Sequence, residues 1–152
     1  MQRSERSGRP FCLVMLDLDF FKNINDHYGH PVGDEVLKVV CGIASGALRG
    51  VDALGRLGGE EFAVLLPETS LDAGFTTMER VRTAVSAYDW NTIAQGIAVS
   101  FSAGIACHIP DDSVQTMTKR ADDALYRAKN GGRNRVIVAE PELAGHVAGA
   151  GR

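Results

Sequence analysis

Apolar and polar positions along the 152 residues fall into runs of strand and helix period. Phe11 to Leu18, FCLVMLDL, is apolar with little alternation, the pattern of a strand buried on both faces. FFKNINDHYGHPVGD follows, rich in Asn, Asp and Gly. Gly29, Pro31 and Gly33 rule out one uninterrupted helix there, so the stretch predicts a short helix and a loop. From about Asp34, Val36, Leu37, Val40, Ile43, Ala44, Ala47 and Leu48 recur at helical spacing, and Gly50 supplies a stop. Asp52 to Gly58 and Glu61 to Pro67 read as two short strands around a Gly-Gly turn. Asp72 to Tyr88 is helical in period, Ile97 to Cys107 strand-like, Asp112 to Asn130 helical, and Arg135 to Ala139 a last strand. The tail EPELAGHVAGAGR predicts disorder. There is no internal repeat and no linker that would split the chain.

The first six elements, strand, helix, strand, strand, helix, strand, predict an α+β, ferredoxin-like arrangement with an extra C-terminal helix and strand. A right-handed crossover makes the first two strands parallel, and the third, returning from the hairpin, slots antiparallel between them. This topology places the carboxyl end of the first strand, with Asp17 and Asp19, beside the hairpin turn carrying Glu60 and Glu61.

Composition narrows the function classes without choosing among them. With 45% apolar and 23% charged residues the chain suits one globular domain able to bury a core. A net charge of -3 gives no general attraction to nucleic acid, so a polyphosphate ligand needs a local group of cations or a metal. Cys12, Cys41 and Cys107 are odd in number and set in apolar runs, which suits buried thiols in a reducing cytoplasm and makes no metal cluster. The start, MQRSERSGRP, has no signal or membrane helix after it, so no membrane contact is expected of this segment. His27, His30 and His108 form no catalytic constellation.

Carboxylates gathered at one sheet rim repel unless protons or a cation neutralise them, and Mg²⁺ (or Mn²⁺), which takes carboxylate, water and phosphate oxygens, is the natural candidate. Read separately, Glu60 and Glu61 are equally well solvated turn residues, and Asp17 and Asp19 caps for the next helix. Phe20, Phe21, Lys22 and Asn23 leave the strand end and offer backbone N–H groups to a phosphate at a helix start, although both phenylalanine side chains would also serve as core. Lys129 and Arg133 flank the Gly131-Gly132 stop, where they read either as charges favourable at a helix C-terminus or as a phosphate clamp.

The stretches FCLVMLDLDFFKNINDHYGHPVGDEVL, RLGGEEF and ADDALYRAKNGGRNRV, in this order, resemble the GGDEF family of diguanylate cyclases over about residues 10 to 139, with GGEEF as the signature pentapeptide. The resemblance implies a palm-type nucleotide-cyclase fold in residues 11 to 140, between an N-terminal remnant of linker or first helix (1 to 10) and a tail (141 to 152). It implies that each domain binds one GTP and that two domains face each other to form cyclic di-GMP with release of pyrophosphate in the bacterial cytoplasm. Asp17, Glu60 and the backbone carbonyl of Leu18 match metal ligands, and Glu61 an acid serving a second metal or deprotonation. Asn25 and Asp34 match guanine contacts, chemistry that an amide and a carboxylate suit. A helix N-cap is the structural alternative for Asp34. Lys129, Arg133 and the amides of Phe20 to Lys22 match phosphate contacts. At Gly59 a missing Cβ leaves room for nucleotide over the turn, and hairpin geometry alone would also account for it.

Arg49-Gly50-Val51-Asp52, separated from Gly58 by five residues, resembles the family's RxxD product site, with Arg80 as a further arginine, and implies feedback inhibition by cyclic di-GMP. Arginine's planar fork suits guanine N7 and O6 or phosphate. MQRSERSGRP lacks the family's upstream Asp-x-Leu-Thr-x-Leu-x-Asn-Arg segment, so the chain is expected to be trimmed at its amino end and separated from an upstream regulatory domain. The competing expectation is a non-catalytic sensor of GTP or cyclic di-GMP that signals through a partner.

Overall fold

The computed structural model describes residues 9–140. The expectations for residues 1 to 8 of the N-terminal stretch and for the tail from 141 lie outside the described residues. Ten elements follow in order: β1 (Phe11–Leu18), α1 (Phe21–Tyr28), α2 (His30–Ala47), β2 (Ala53–Gly58), β3 (Glu61–Pro67), α3 (Leu71–Ala87), a 3-10 turn (Trp90–Thr92), β4 (Phe101–Cys107), α4 (Val114–Asn130) and β5 (Arg135–Val138). Among the described residues no helix is long and apolar enough to cross a membrane.

The sheet order is β2-β3-β1-β4-β5, with β3 antiparallel to both β2 and β1. β1 and β2 therefore run the same way with β3 between them, as the crossover argument requires. β4 is antiparallel to β1, and β5 joins β4 in parallel at the edge.

β1 is covered on both faces. Its even residues, Cys12, Val14, Leu16 and Leu18, join Val36 and Val40 of α2 and Met78 and Val81 of α3 in one core. Its odd residues Leu13 and Met15 pack with Met117, Ala121 and Ala124 of α4 in a second. Period-two alternation thus delivers the next odd residue, Asp17, to the α4 side of the sheet. α4 lies unusually close to β4: a Cβ on Gly104 would fall 2.2 Å from the Ala121 carbonyl oxygen and 2.4 Å from the Leu125 nitrogen.

The larger differences from the sequence reading lie at the starts of α2, β4 and α4. α2 begins at His30, four residues before Asp34, because Pro31 sits in its first turn, where a missing N–H removes no helical bond. Gly29 alone breaks the chain between α1 and α2, at φ 95°. The ladder of β4 starts at Phe101, not Ile97, since Phe101 pairs with Leu18, the last residue of β1, and residues before it have no strand to join. Ser113 caps α4, its side chain accepting from the Thr116 N–H in a capping box, so Asp112 precedes the helix. Trp90, in the unforeseen 3-10 turn, is buried and donates from Nε1 to the Val85 carbonyl at 2.7 Å. Of the three free cysteines only Cys12 is buried, and Cys41 and Cys107 are half-buried.

Candidate functional site

The site grows from the carboxyl end of β1. Asp17 is 6% exposed. Its Oδ2 accepts from Lys129 Nζ of α4 at 2.5 Å, while its Oδ1 is buried without a hydrogen-bond partner. Directly across the ladder stands Glu61, exposed at the start of β3, and cross-strand partners share a sheet face. The Leu18 N–H donates to the Glu60 carbonyl at 3.2 Å, tying the signature turn to the end of β1. Strand pairing therefore brings Asp17, Leu18, Glu60 and Glu61 to one rim. Among the described residues, no three His, Cys, Asp or Glu side chains are grouped as a finished metal site, and Asp17's charge is met by Lys129.

Asp19 takes a different part from Asp17. Its carboxylate accepts from Ser102 Oγ at 2.7 Å, Ser100 Oγ at 2.7 Å and the Asn134 N–H at 2.9 Å. Fully satisfied, it ties the end of β1 to the start of β4 and to the turn after α4. Sequence reasoning grouped it with the acidic cluster; only the fold reveals its three donors.

The hairpin turn depends on Gly59, at φ 50°, where a Cβ would meet nothing within 4 Å. The space above the turn is open. Arg56 Nε donates to the Gly59 carbonyl at 2.9 Å, and the register shifts between Arg56 and Gly58.

Phe20 caps α1 in a left-handed conformation, φ 55°, rare for a bulky residue. The amides of Phe20, Phe21 and Lys22 precede the first helical bond, from Ile24 N–H to the Phe20 carbonyl, and no side chain caps them. The Phe21 side chain is buried, whereas Phe20 is 60% exposed and carries the Arg133 guanidinium 4.7 Å from its ring centroid. Lys22 pairs with Asp26 at 3.0 Å on the exposed side of α1. Arg133 itself has φ 66°, just past Gly132 at φ 119°, and its N–H returns to the Ala128 carbonyl in a Schellman-type helix stop.

Asn25 on α1 faces α2: a Cβ on Gly33 would fall 1.9 Å from Asn25 Oδ1. That oxygen is buried and has no hydrogen-bond partner. Asp34, the next residue, is exposed just beyond the first turn of α2, and the N-cap is Gly29, which removes the capping alternative for Asp34. The importance of Gly33 went unread because a glycine after Pro31 looks like a helix breaker. A cleft of about 480 Å³ on the other side of α1, reaching from Phe20 past His27 to Gly96 and Ala98, was likewise unforeseen and does not include Asn25.

Arg49 and Asp52 hold each other. Arg49 donates from Nη2 to Asp52 Oδ1 at 2.7 Å, from Nε to Oδ2 at 3.2 Å and from its backbone N–H to Oδ2 at 2.7 Å. Nη2 also reaches the Pro67 carbonyl and Thr69 Oγ1, each at 2.7 Å. Burial pushes the Asp52 carboxyl up, but hydrogen bonds from Arg49 pull harder and leave it below the usual carboxylate range. The same pairing raises the Arg49 guanidinium. Arg80, exposed on α3, is not part of this network.

Comparison with known proteins identifies the family and matches the fold. Residues 1–135 match the family described as "Diguanylate cyclase, GGDEF domain". The chain is 44% identical over 137 residues to diguanylate cyclase DgcP of Pseudomonas aeruginosa, covering 90% of this chain and 20% of that protein. It is 42% identical over 141 residues to diguanylate cyclase A of Treponema denticola, covering 92% of this chain and 38% of that one. The chain thus spans between a fifth and two fifths of the length of these relatives. Among solved structures, the GGDEF domain of DgcB from Caulobacter crescentus in complex with c-di-GMP superposes with a TM-score of 0.85 at 37% identity, covering 92% of this chain and 84% of that one. The active GGEEF domain of a diguanylate cyclase from Vibrio cholerae gives 0.86 at 32% identity, covering 93% and 90%. The chain belongs to the GGDEF-domain family.

Proposed function

We propose that the domain is one half of a diguanylate cyclase: each copy holds one GTP, and two copies facing each other join two GTP molecules into cyclic di-GMP and pyrophosphate. The observation that carries this reading is Asp17, a buried carboxylate with one oxygen unpartnered and the other on Lys129, set beside the GGEEF turn. A burial of this kind is costly and argues for a use beyond stability.

The donor set, carboxylates and a backbone carbonyl without thiolate or imidazole, fits a hard oxygen-liganded cation such as Mg²⁺ or Mn²⁺. Asp17, the Leu18 carbonyl, Glu60 and Glu61 would hold it. When bound, it would supply positive charge to the triphosphate and make the ribose 3′-hydroxyl more acidic. The chain's own residues supply the rest. The uncapped amides of Phe20, Phe21 and Lys22 donate to phosphate oxygens, with Lys129 and Arg133 adding charge from the end of α4. Asn25 and Asp34, at the α1–α2 corner, read the guanine edge. The open space over Gly59 admits the nucleotide. With one nucleotide per domain, rate depends on bringing two copies into line. Arg49, Asp52 and Arg80 form the product-binding site for feedback inhibition, where the Arg49 fork exchanges part of its internal bonding for cyclic di-GMP.

The test is product formation from GTP and Mg²⁺ over a wide range of protein concentration. A faster than linear rise supports the cyclase. GTP binding with no product at any concentration would replace it with the non-catalytic sensor.

A further inference from the structure

Arg133 and Lys129 leave the same end of α4 but stand differently. Lys129 rests on Asp17, whereas among the described residues the Arg133 guanidinium has no carboxylate partner and lies over the Phe20 ring. Both Phe20 and Arg133 hold left-handed backbone conformations, φ 55° and 66°, that side chains of this size rarely adopt. Two such residues, one at a helix start and one past a helix end, are turned toward each other across the sheet rim. An aromatic ring 60% exposed contributes little to the core, so packing does not account for this arrangement.

We infer that Phe20 is a positioning residue for triphosphate binding: its ring is the shelf on which the Arg133 guanidinium lies, next to the uncapped amides of Phe20, Phe21 and Lys22. The inference rests on the GTP-binding reading above. A guanidinium stacked by its face keeps its N–H edges free, and those edges pair with phosphate oxygens. An unstacked arginine at an exposed turn samples many rotamers and loses that freedom on each binding event. The ring removes part of that loss beforehand. Phe20 then acts twice, through its N–H toward the phosphate and through its ring toward the cation that meets the same phosphate.

The experiment is a double-mutant cycle on the whole chain with GTP and Mg²⁺, read by calorimetry, with guanosine as a ligand lacking phosphate. Phe20→Leu keeps the backbone strain and the apolar bulk while removing the ring. It is expected to weaken GTP binding roughly three- to tenfold and to leave guanosine unchanged. In an Arg133→Ala background the same change is expected to have almost no effect. Phe20→Trp should restore binding, and Arg133→Lys, which keeps charge but not the flat stack, should lose about as much as Phe20→Leu. Wild-type affinity in Phe20→Leu, or a loss that persists in full without Arg133, would overturn the inference. So would an equal loss for guanosine. No GTP binding by the unaltered chain would overturn the underlying reading as well, so the two failures are distinguishable.

Discussion

Lys129 Nζ meets Asp17 Oδ2 at 2.5 Å across 112 residues of sequence, while the other oxygen of that carboxylate stays buried and unpartnered. A buried charge satisfied on one side only is a liability for the fold. Asp17→Asn is therefore expected to hold or raise the melting temperature, by up to about 4 °C, because the half-exposed Lys129 can be solvated. Product formation should fall at least about 100-fold, with the cation anchor gone. A melt and an activity assay on one preparation check both; destabilisation by more than about 2 kcal/mol would show that the pair is structural.

Removing the lysine separates two affinities by sign. Lys129→Ala leaves Asp17 with its full negative field, so Mn²⁺ alone should bind more tightly, by about tenfold, as read by electron paramagnetic resonance. GTP should bind more weakly by a similar factor, having lost a phosphate contact. Movement of both affinities in the same direction would contradict the placement of Lys129 between carboxylate and phosphate.

Gly33 gives a test of the proposed base recognition by Asn25. In Gly33→Ala the new methyl falls 1.9 Å from Asn25 Oδ1, so the amide must leave its place. The helix gains about 1 kcal/mol from replacing glycine, which offsets part of the clash and should keep the fold intact. GTP affinity is expected to drop roughly tenfold while inorganic triphosphate binds as before, since only the guanine edge is misread. Equal losses for both ligands would remove Asn25 from that role.

At Gly59 the added methyl meets no protein atom within 4 Å, so its structural penalty is the left-handed backbone alone, about 1 kcal/mol. Gly59→Ala should accordingly melt only a few degrees lower yet bind GTP at least about tenfold more weakly. Unchanged GTP affinity would leave hairpin geometry as the whole reason for the glycine.

Part of the acid sensitivity should arise far from the site, at Asp112 before α4. Burial pushes its carboxyl up, but hydrogen bonds from the Thr116 hydroxyl, the Ile109 N–H and Arg120 pull harder and hold it below the ordinary range. A depressed carboxyl stabilises the fold above its unfolded pKa, about 4, and this contribution fades as pH falls through the lower folded value. Asp112→Ala leaves Arg120, with a side chain 9% exposed, buried without its carboxylate, at a cost of about 3–5 kcal/mol near neutral pH. Urea midpoints measured from pH 6 down to about 2 should fall less steeply in the variant than in the unaltered chain.

Legibility followed the range of the physics. β1 was readable because burial on both faces leaves a continuous apolar run, and the rim that joins Asp17 to Glu61 followed from crossover handedness and hairpin return. The start of α2 was misplaced because Pro31 and Gly33 signal a break to any local reading, whereas the first is harmless in a first turn and the second makes room for Asn25. Ile97 to Ser100 lacks a ladder for a reason no local window contains: β1 has already ended. The separate fates of Asp17 and Asp19 depend on donors from Ser100, Ser102 and Asn134, more than 80 residues away. The ring of Phe20 under Arg133 depends on two left-handed backbones, and sequence offered only the glycines beside one of them.

The contact at Gly104 makes α4 a rigid lever. Where main chain rests on main chain, no rotamer can yield, so a displacement of the helix cannot be absorbed locally. Any tilt, whether from a bulkier residue at that spot or from a push on the helix's far end, is passed on to both cations at its tip at once. On the reading proposed above, the domain thereby gains a mechanical handle on its affinity for phosphate.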